Sequence, residues 1–153
     1  CLRYFNVFGP HQDPTSQYAG VISKFAALIA QDRPLTVFGD GGQTRDFVFV
    51  KDIALLNALA LASDYRGICN VGTGVSVTLL ELIDALAACA GRQPEVRFEP
   101  PVAGDIRESA MAPARLMRVF GAAPATPLGA GLKALLASTS QQTPHDPQAR
   151  VIV

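Results

Sequence analysis

Three short stretches of this 153-residue chain combine polar side chains with tight turns beyond what packing requires. In Arg3-Tyr4-Phe5-Asn6-Val7-Phe8-Gly9-Pro10, strand alternation would put Tyr4 and Asn6 on one face and Phe5 and Val7 on the other. A side-chain amide at the carboxyl end of a strand stands where open α/β sheets bind ligands. It can equally satisfy turn backbone, a common use of asparagine. The second stretch, Gly39-Asp40-Gly41-Gly42-Gln43-Thr44-Arg45-Asp46-Phe47, fixes a guanidinium at the start of a strand, and its planar fork suits a pair of phosphate oxygens. The plainer account makes Arg45 and Asp46 a surface ion pair and the glycines hairpin residues. In the third, Ala103-Gly104-Asp105-Ile106-Arg107-Glu108-Ser109, the Asp105 carboxylate would accept from paired ribose hydroxyls or cap a turn, and Arg107-Glu108 reads as a solvated pair. Gly72-Thr73-Gly74 lacks the third glycine of a dinucleotide fingerprint and is a weak signal alone.

The elements that must position these groups alternate between strand and helix, which predicts an α/β fold. Leu2 to Phe8 reads as one strand closed by Gly9-Pro10, and residues 11–20 as a loop. Val21, Ile22, Phe25, Leu28 and Ile29 fall at helical spacing. Short strands follow at Leu35 to Phe38 and Phe47 to Val50, then a helix from Ile53 to about Ala62 with Asp52 as its N-cap. Ile68 to Val71 reads as a buried strand. Thr78 and Glu81 form a T-x-x-E capping box, with Val77 and Leu82 placed as the hydrophobic staple and Gly91 as the stop. Glu95 to Pro100 alternates as a half-buried strand. Pro113 at N1 opens a helix that Gly121 closes, and Thr126-Pro127 opens the last, whose apolar face is Leu128, Leu132, Leu135 and Leu136. Residues 138–153 read as a disordered tail, leaving 1–137 as one ordered unit.

Composition narrows the classes. A hydrophobic content of 49% provides for a core, and the formal net charge of zero steers the chain toward neither nucleic acid nor anionic lipid. No apolar run approaches the ~18 residues of a membrane span. The three cysteines read as small buried hydrophobes of a reducing, cytoplasmic compartment, and the two histidines lack companions at metal-ligand spacing. The chain has no initiator methionine and its first residues already read as strand, so a fragment is expected.

Taken in order, five segments resemble the extended short-chain dehydrogenase/reductase family, specifically its UDP-sugar 4-epimerases: Leu2 to Pro10, Val37 to Gly41, Thr44 to Asp52, Asn70 to Gly74, and Gly104 to Arg107. The resemblance implies the carboxy-terminal substrate-binding part of such a fold, with the last Rossmann strands and without the NAD-binding half. It implies Tyr4 by the nicotinamide end of NAD, Asn6 on the substrate's phosphate or sugar, and Val21 at the nucleotide near a helix start, where free N–H groups favour an anion. Thr36 and Phe38 would line the uracil slot, Arg45 would clamp the diphosphate and Asp105 would hold the ribose. Ser109 falls where the family sets pocket width, and a small residue there leans toward N-acetylated sugars as well as UDP-glucose and UDP-galactose. The whole protein would be a homodimer joined through its other half.

Departures from the pattern carry equal weight. The glycine-rich NAD turn and the Tyr-x-x-x-Lys pair that begins the 4-hydride cycle are not in this sequence, so none of its residues is expected to be catalytic. Val102 stands where the family has a second diphosphate arginine, a loss of roughly 1.5–3 kcal/mol in binding; Arg107 is a candidate replacement. Ala112 replaces the aspartate expected before Pro113, at a cost of roughly 0.5–2 kcal/mol to that helix. The leading expectation is therefore the sugar-nucleotide pocket of a UDP-hexose 4-epimerase. A 4,6-dehydratase or UDP-glucuronate decarboxylase of the same family, a non-catalytic sugar-nucleotide-binding pseudoenzyme, and a piece that does not fold alone are the rivals.

Overall fold

The computed structural model describes residues 1–16 and 19–139. Its strands are β1 (Leu2–Tyr4), β2 (Asn6–Phe8), β3 (Leu35–Phe38), β4 (Thr44–Phe49), β5 (Cys69–Val71), β6 (Ser76–Thr78) and β7 (Val96–Glu99). Its helices are α1 (Val21–Ala30), α2 (Val50–Leu61), α3 (Leu79–Ala90), α4 (Ala114–Phe120) and α5 (Leu128–Thr139). Three parallel ladders, β1 with β5, β2 with β4 and β3 with β7, lie in three separate sheets, and β6 extends the second by pairing antiparallel with β4.

Side-chain alternation along β4 divides the core in two. Phe47 and Phe49 enter a cluster with Phe25, Leu82, Leu86 and Leu132 under α1, α3 and α5. Val48 points to the opposite face, into a second cluster with Ile53, Leu56, Cys69, Val71 and Leu116 beneath α2 and α4. Strand β2 divides in the same way, with Phe8 in the first cluster and Val7 against the second. The cavity described below opens on the Phe47 face.

Several local expectations meet their geometry. Thr78 Oγ1 accepts from Glu81 N–H at 3.1 Å, and Glu81 Oε2 accepts from Thr78 N–H at 2.8 Å, so the capping box closes in both directions. Val77 and Leu82 meet in one apolar cluster, as a staple requires. Gly91 and Gly121 end α3 and α4 in the left-handed region, at φ 70° and 65°. Pro113, expected at N1, stands one position earlier as the N-cap of α4, although its dihedrals (φ −77°, ψ −4°) are already helical.

Other expectations need correction. The first strand is two strands: at Phe5 the chain changes partner from β5 to β4, which sets Tyr4 and Asn6 against different neighbours. Asp52 does not cap α2, which already begins at Val50. Its carboxylate instead accepts from the N–H and Oγ1 of Thr126 at 3.0 and 2.9 Å, binding the start of α5 to α2. The strand at 96–99 is largely exposed, with Phe98 58% accessible, because it pairs through its edge with β3 and little packs over it. Helix α5 runs to Thr139, beyond the expected start of the tail; residues 140–153 lie outside the described residues. No helix among the described residues is long and apolar enough to cross a membrane.

Candidate functional site

A cavity of about 400 Å³ lies where β2, β4, β6 and the start of α1 converge. The register aligns Asn6 with Phe47 and pairs Arg45 with Val77, so Asn6, Arg45, Phe47 and Val77 all reach its wall. Helix α1 presents Gly20, Val21 and Ile22 to the same space. Its N-cap is Gly20, which supplies no side-chain cap, and its first turn carries no acidic residue. The leading N–H groups of an uncapped helix seek an external acceptor.

Arg45 is held by three acceptors. Its Nη1 donates to the carbonyls of Thr44 at 2.9 Å and Ile106 at 2.5 Å, and its Nη2 donates to Asp105 Oδ1 at 2.6 Å. The two side chains are 17% and 21% accessible, so this ion pair is largely covered even though the Asp105 backbone is exposed. A guanidinium has five N–H donors, and two remain after these three bonds. The Asn6 amide is fixed by donation from Nδ2 to the carbonyl of Asp46 at 3.1 Å, which leaves its Oδ1 for another partner.

Of the residues singled out from sequence, Asn6, Val21 and Arg45 share the cavity wall, and Asp105 joins them through its ion pair with Arg45. Thr36 and Phe38 are half-buried on β3, outside the lining. Phe38 is coupled to it because its carbonyl accepts from Gln43 Nε2 at 3.0 Å. Ser109 is half-buried and accepts through its carbonyl from Ser76 Oγ at 3.4 Å, also outside the lining. Tyr4 is 44% exposed and donates to Asn57 Oδ1 at 2.6 Å, away from the cavity.

Two pairings read from sequence adjacency are replaced by longer-range ones. Arg45 and Asp46 do not pair, because neighbours on a strand point to opposite faces. Asp46 is fully buried and accepts from Thr73 N–H, Thr73 Oγ1 and Gly74 N–H at 2.8, 2.7 and 2.9 Å. The Gly72-Thr73-Gly74 turn is thus an anchor for this carboxylate. Arg107 does not pair with Glu108; its fork meets Asp40 at 2.5 and 2.9 Å. That contact occupies Arg107, the candidate replacement for the arginine that the resemblance leads one to expect at position 102. Gln12 and Gln43 line the cavity and were not singled out. Gln43 is only 5% exposed, and its place two residues before Arg45 in β4's approach was the available signal.

The parallel ladders, the helices on both faces and the ligand-sized cavity at strand ends define part of an extended short-chain dehydrogenase/reductase fold. Residues 1–72 match the NAD dependent epimerase/dehydratase family, and the chain belongs to that family. A UDP-glucose 4-epimerase of Mycolicibacterium smegmatis is 39% identical over 130 residues, which are 83% of this chain and 41% of that protein. Among solved structures, the UDP-glucose 4-epimerase of Thermotoga maritima with UDP-glucose superposes with a TM-score of 0.87 at 34% identity, over 92% of this chain and 45% of that one. The UDP-N-acetylglucosamine 4-epimerase of Methanobrevibacter ruminantium M1, in complex with UDP-N-acetylmuramic acid, gives 0.88 at 36% identity, over 93% and 46%. The chain therefore spans less than half the length of these relatives.

The family is NAD-dependent. Among the described residues, two candidates for dinucleotide contact are already engaged: Tyr4 with Asn57, and the Gly72-Thr73-Gly74 turn with Asp46.

Proposed function

We propose that this chain supplies the UDP-sugar pocket of an NAD-dependent UDP-hexose 4-epimerase. The observation that carries the reading is the meeting of Arg45, with two uncommitted N–H donors, and the uncapped start of α1 at one cavity. Both favour an anion with several oxygens, which is what a diphosphate presents. Asn6 Oδ1 supplies an acceptor for a sugar hydroxyl. Asp105 is the acceptor for ribose hydroxyls, which requires its carboxylate to serve Arg45 through one oxygen and the sugar through the other. Gln43 carries the wall toward Phe38, so a base slot at Thr36 and Phe38 and a width-setting Ser109 would belong to an extension of the pocket beyond this cavity. The pair Glc/Gal and its N-acetylated counterpart are both within this reading.

Titration of UDP, UDP-glucose and UDP-N-acetylglucosamine into the purified chain tests it. Sub-millimolar binding of all three is expected, with inorganic pyrophosphate competing and adenosine failing to compete. Binding weaker than millimolar would exclude the pocket assignment. In the whole protein the expected activity is interconversion at C4 of the UDP-hexose, followed by separation of the two sugar nucleotides.

A second reading has specific support. Val102 leaves the pocket without the family's second diphosphate arginine, and Arg107 is already engaged by Asp40. A single cationic clamp fits a non-catalytic binding module that retains the nucleotide pocket. Tight UDP binding together with no turnover by the whole protein would favour it.

A further inference from the structure

Beyond the residues that face the cavity, the contact between Asp40 and Arg107 has so far counted only as what keeps Arg107 from the ligand. The segment that carries Asp105 begins with a turn in which Asp105 N–H donates to the Val102 carbonyl at 3.2 Å, with Gly104 at φ 86°. It is joined to β4 through the Thr44 N–H, which donates to the Arg107 carbonyl at 2.9 Å. At the same residue the side chain turns the other way, and its two Nη atoms meet both oxygens of Asp40. Asp40 is itself fixed, since its Oδ1 accepts from Gly42 N–H at 2.9 Å.

We propose that the Asp40–Arg107 fork is a clasp that positions Arg45 for a phosphate. Two of the three acceptors holding the Arg45 guanidinium, the Ile106 carbonyl and Asp105 Oδ1, come from the two residues before Arg107. Fixing Arg107 fixes them, and they set the direction in which the remaining Arg45 donors point. As a source of folding stability the clasp counts for little, because both side chains are more than half exposed. A bidentate pair is nonetheless directional in a way a single contact is not. The clasp also survives mild acid, since Arg107's hydrogen bonds hold the Asp40 carboxyl down at about 2. Asp40 and Arg107 are positioning residues and do not touch the ligand. The inference rests on Arg45 being the diphosphate clamp.

The test is calorimetric titration of UDP and of inorganic pyrophosphate into the unaltered chain, Asp40→Asn, Arg107→Gln and the swap Asp40→Arg/Arg107→Asp. A fourth variant, Gly42→Ala, keeps every charge, but its Cβ would fall 2.7 Å from Arg107 Nη2 and 3.3 Å from Asp40 Oδ1, pushing the fork aside. The expected result is an affinity roughly tenfold weaker for both titrants in the two single charge variants and in Gly42→Ala. Melting temperatures should stay close to the parent's, and the swap should recover most of the loss. Unchanged affinity in these variants overturns the clasp, as does a loss that tracks the melting temperature and that the swap does not restore. If Arg107 contacts the phosphate directly, Asp40→Asn frees it and tightens binding, which also overturns the proposal. Failure of the unaltered chain to bind either titrant refutes the pocket reading itself, before any variant is compared.

Discussion

Replacing Arg45 by lysine separates charge from geometry in this pocket. Arginine spends three N–H donors on Thr44, Ile106 and Asp105 and keeps two, as many as a forked phosphate contact needs. Lysine retains the charge but has only three donors, all on one nitrogen at the end of a flexible stem. It can hold the Asp105 segment or a phosphate, not both with good geometry. A hydrogen bond involving a charged group contributes about 1.5–3 kcal/mol, so Arg45→Lys should raise the UDP dissociation constant ~10- to 150-fold. Arg45→Met should do so at least as strongly. The folding cost should be about 1–3 kcal/mol, because a largely covered ion pair is lost and the Asp105 carboxylate must turn to water. Isothermal titration of UDP, alongside a melting curve for each variant, measures both quantities. If Arg45→Lys folds normally and binds UDP as the parent does, point charge is sufficient and the forked-donor reasoning fails.

Other consequences concern the scaffold. Asp46→Ala removes a buried acceptor of three hydrogen bonds and strands the N–H groups of Thr73 and Gly74, so urea melts should show a loss of about 2–4 kcal/mol; less than 1 kcal/mol would mean the turn re-solvates freely. Alanine at Gly131 and at Gly129 should act in opposite directions, although both lie on α5. At Gly131 the new Cβ would stand 2.7 Å from Phe8 Cζ and 3.0 Å from Phe49 Cδ2, for a loss of about 1–3 kcal/mol. At Gly129 nothing lies within 4 Å, so better helix propensity should stabilise by a few tenths to ~1 kcal/mol. Thr78→Ala should cost about 1 kcal/mol by opening the capping box. The Thr78 backbone N–H and hydroxyl hold the Glu81 carboxyl below its ordinary value of 4.5. A lowered folded-state pKa means the contribution is complete above that ordinary value and fades as pH falls through the lowered one. Thermal melts from pH 7 to pH 3 should therefore decline less steeply in Thr78→Ala than in the parent.

Residue order alone makes legible the contacts that near neighbours in the chain settle among themselves. Thr78 and Glu81 close their box because both bonds span one helical turn, and Gly91 and Gly121 end helices because a left-handed residue is cheapest without a side chain. The same locality explains the misreadings. Asp52 has the chemistry of an N-cap, yet β4 runs directly into α2 at Val50, and the carboxylate is taken by Thr126, seventy-four positions away. The segments that hold Asn6 and Arg45 were recognisable by order and type, and the resemblance they carry named the family and implied Val21.

Partner choice was decided only by the tertiary structure. Arg45 and Asp46 are adjacent in the chain but separated by a sheet, since strand geometry sends them to opposite faces; one reaches Asp105 and the other Thr73 and Gly74. Arg107 passes over Glu108 for Asp40, sixty-seven positions away, because the fold brings the turn at 39–42 beside the segment after β7. A charge finds the counter-charge that is nearest in space, and distance in space is set by how the ladders register and how the two apolar clusters pack.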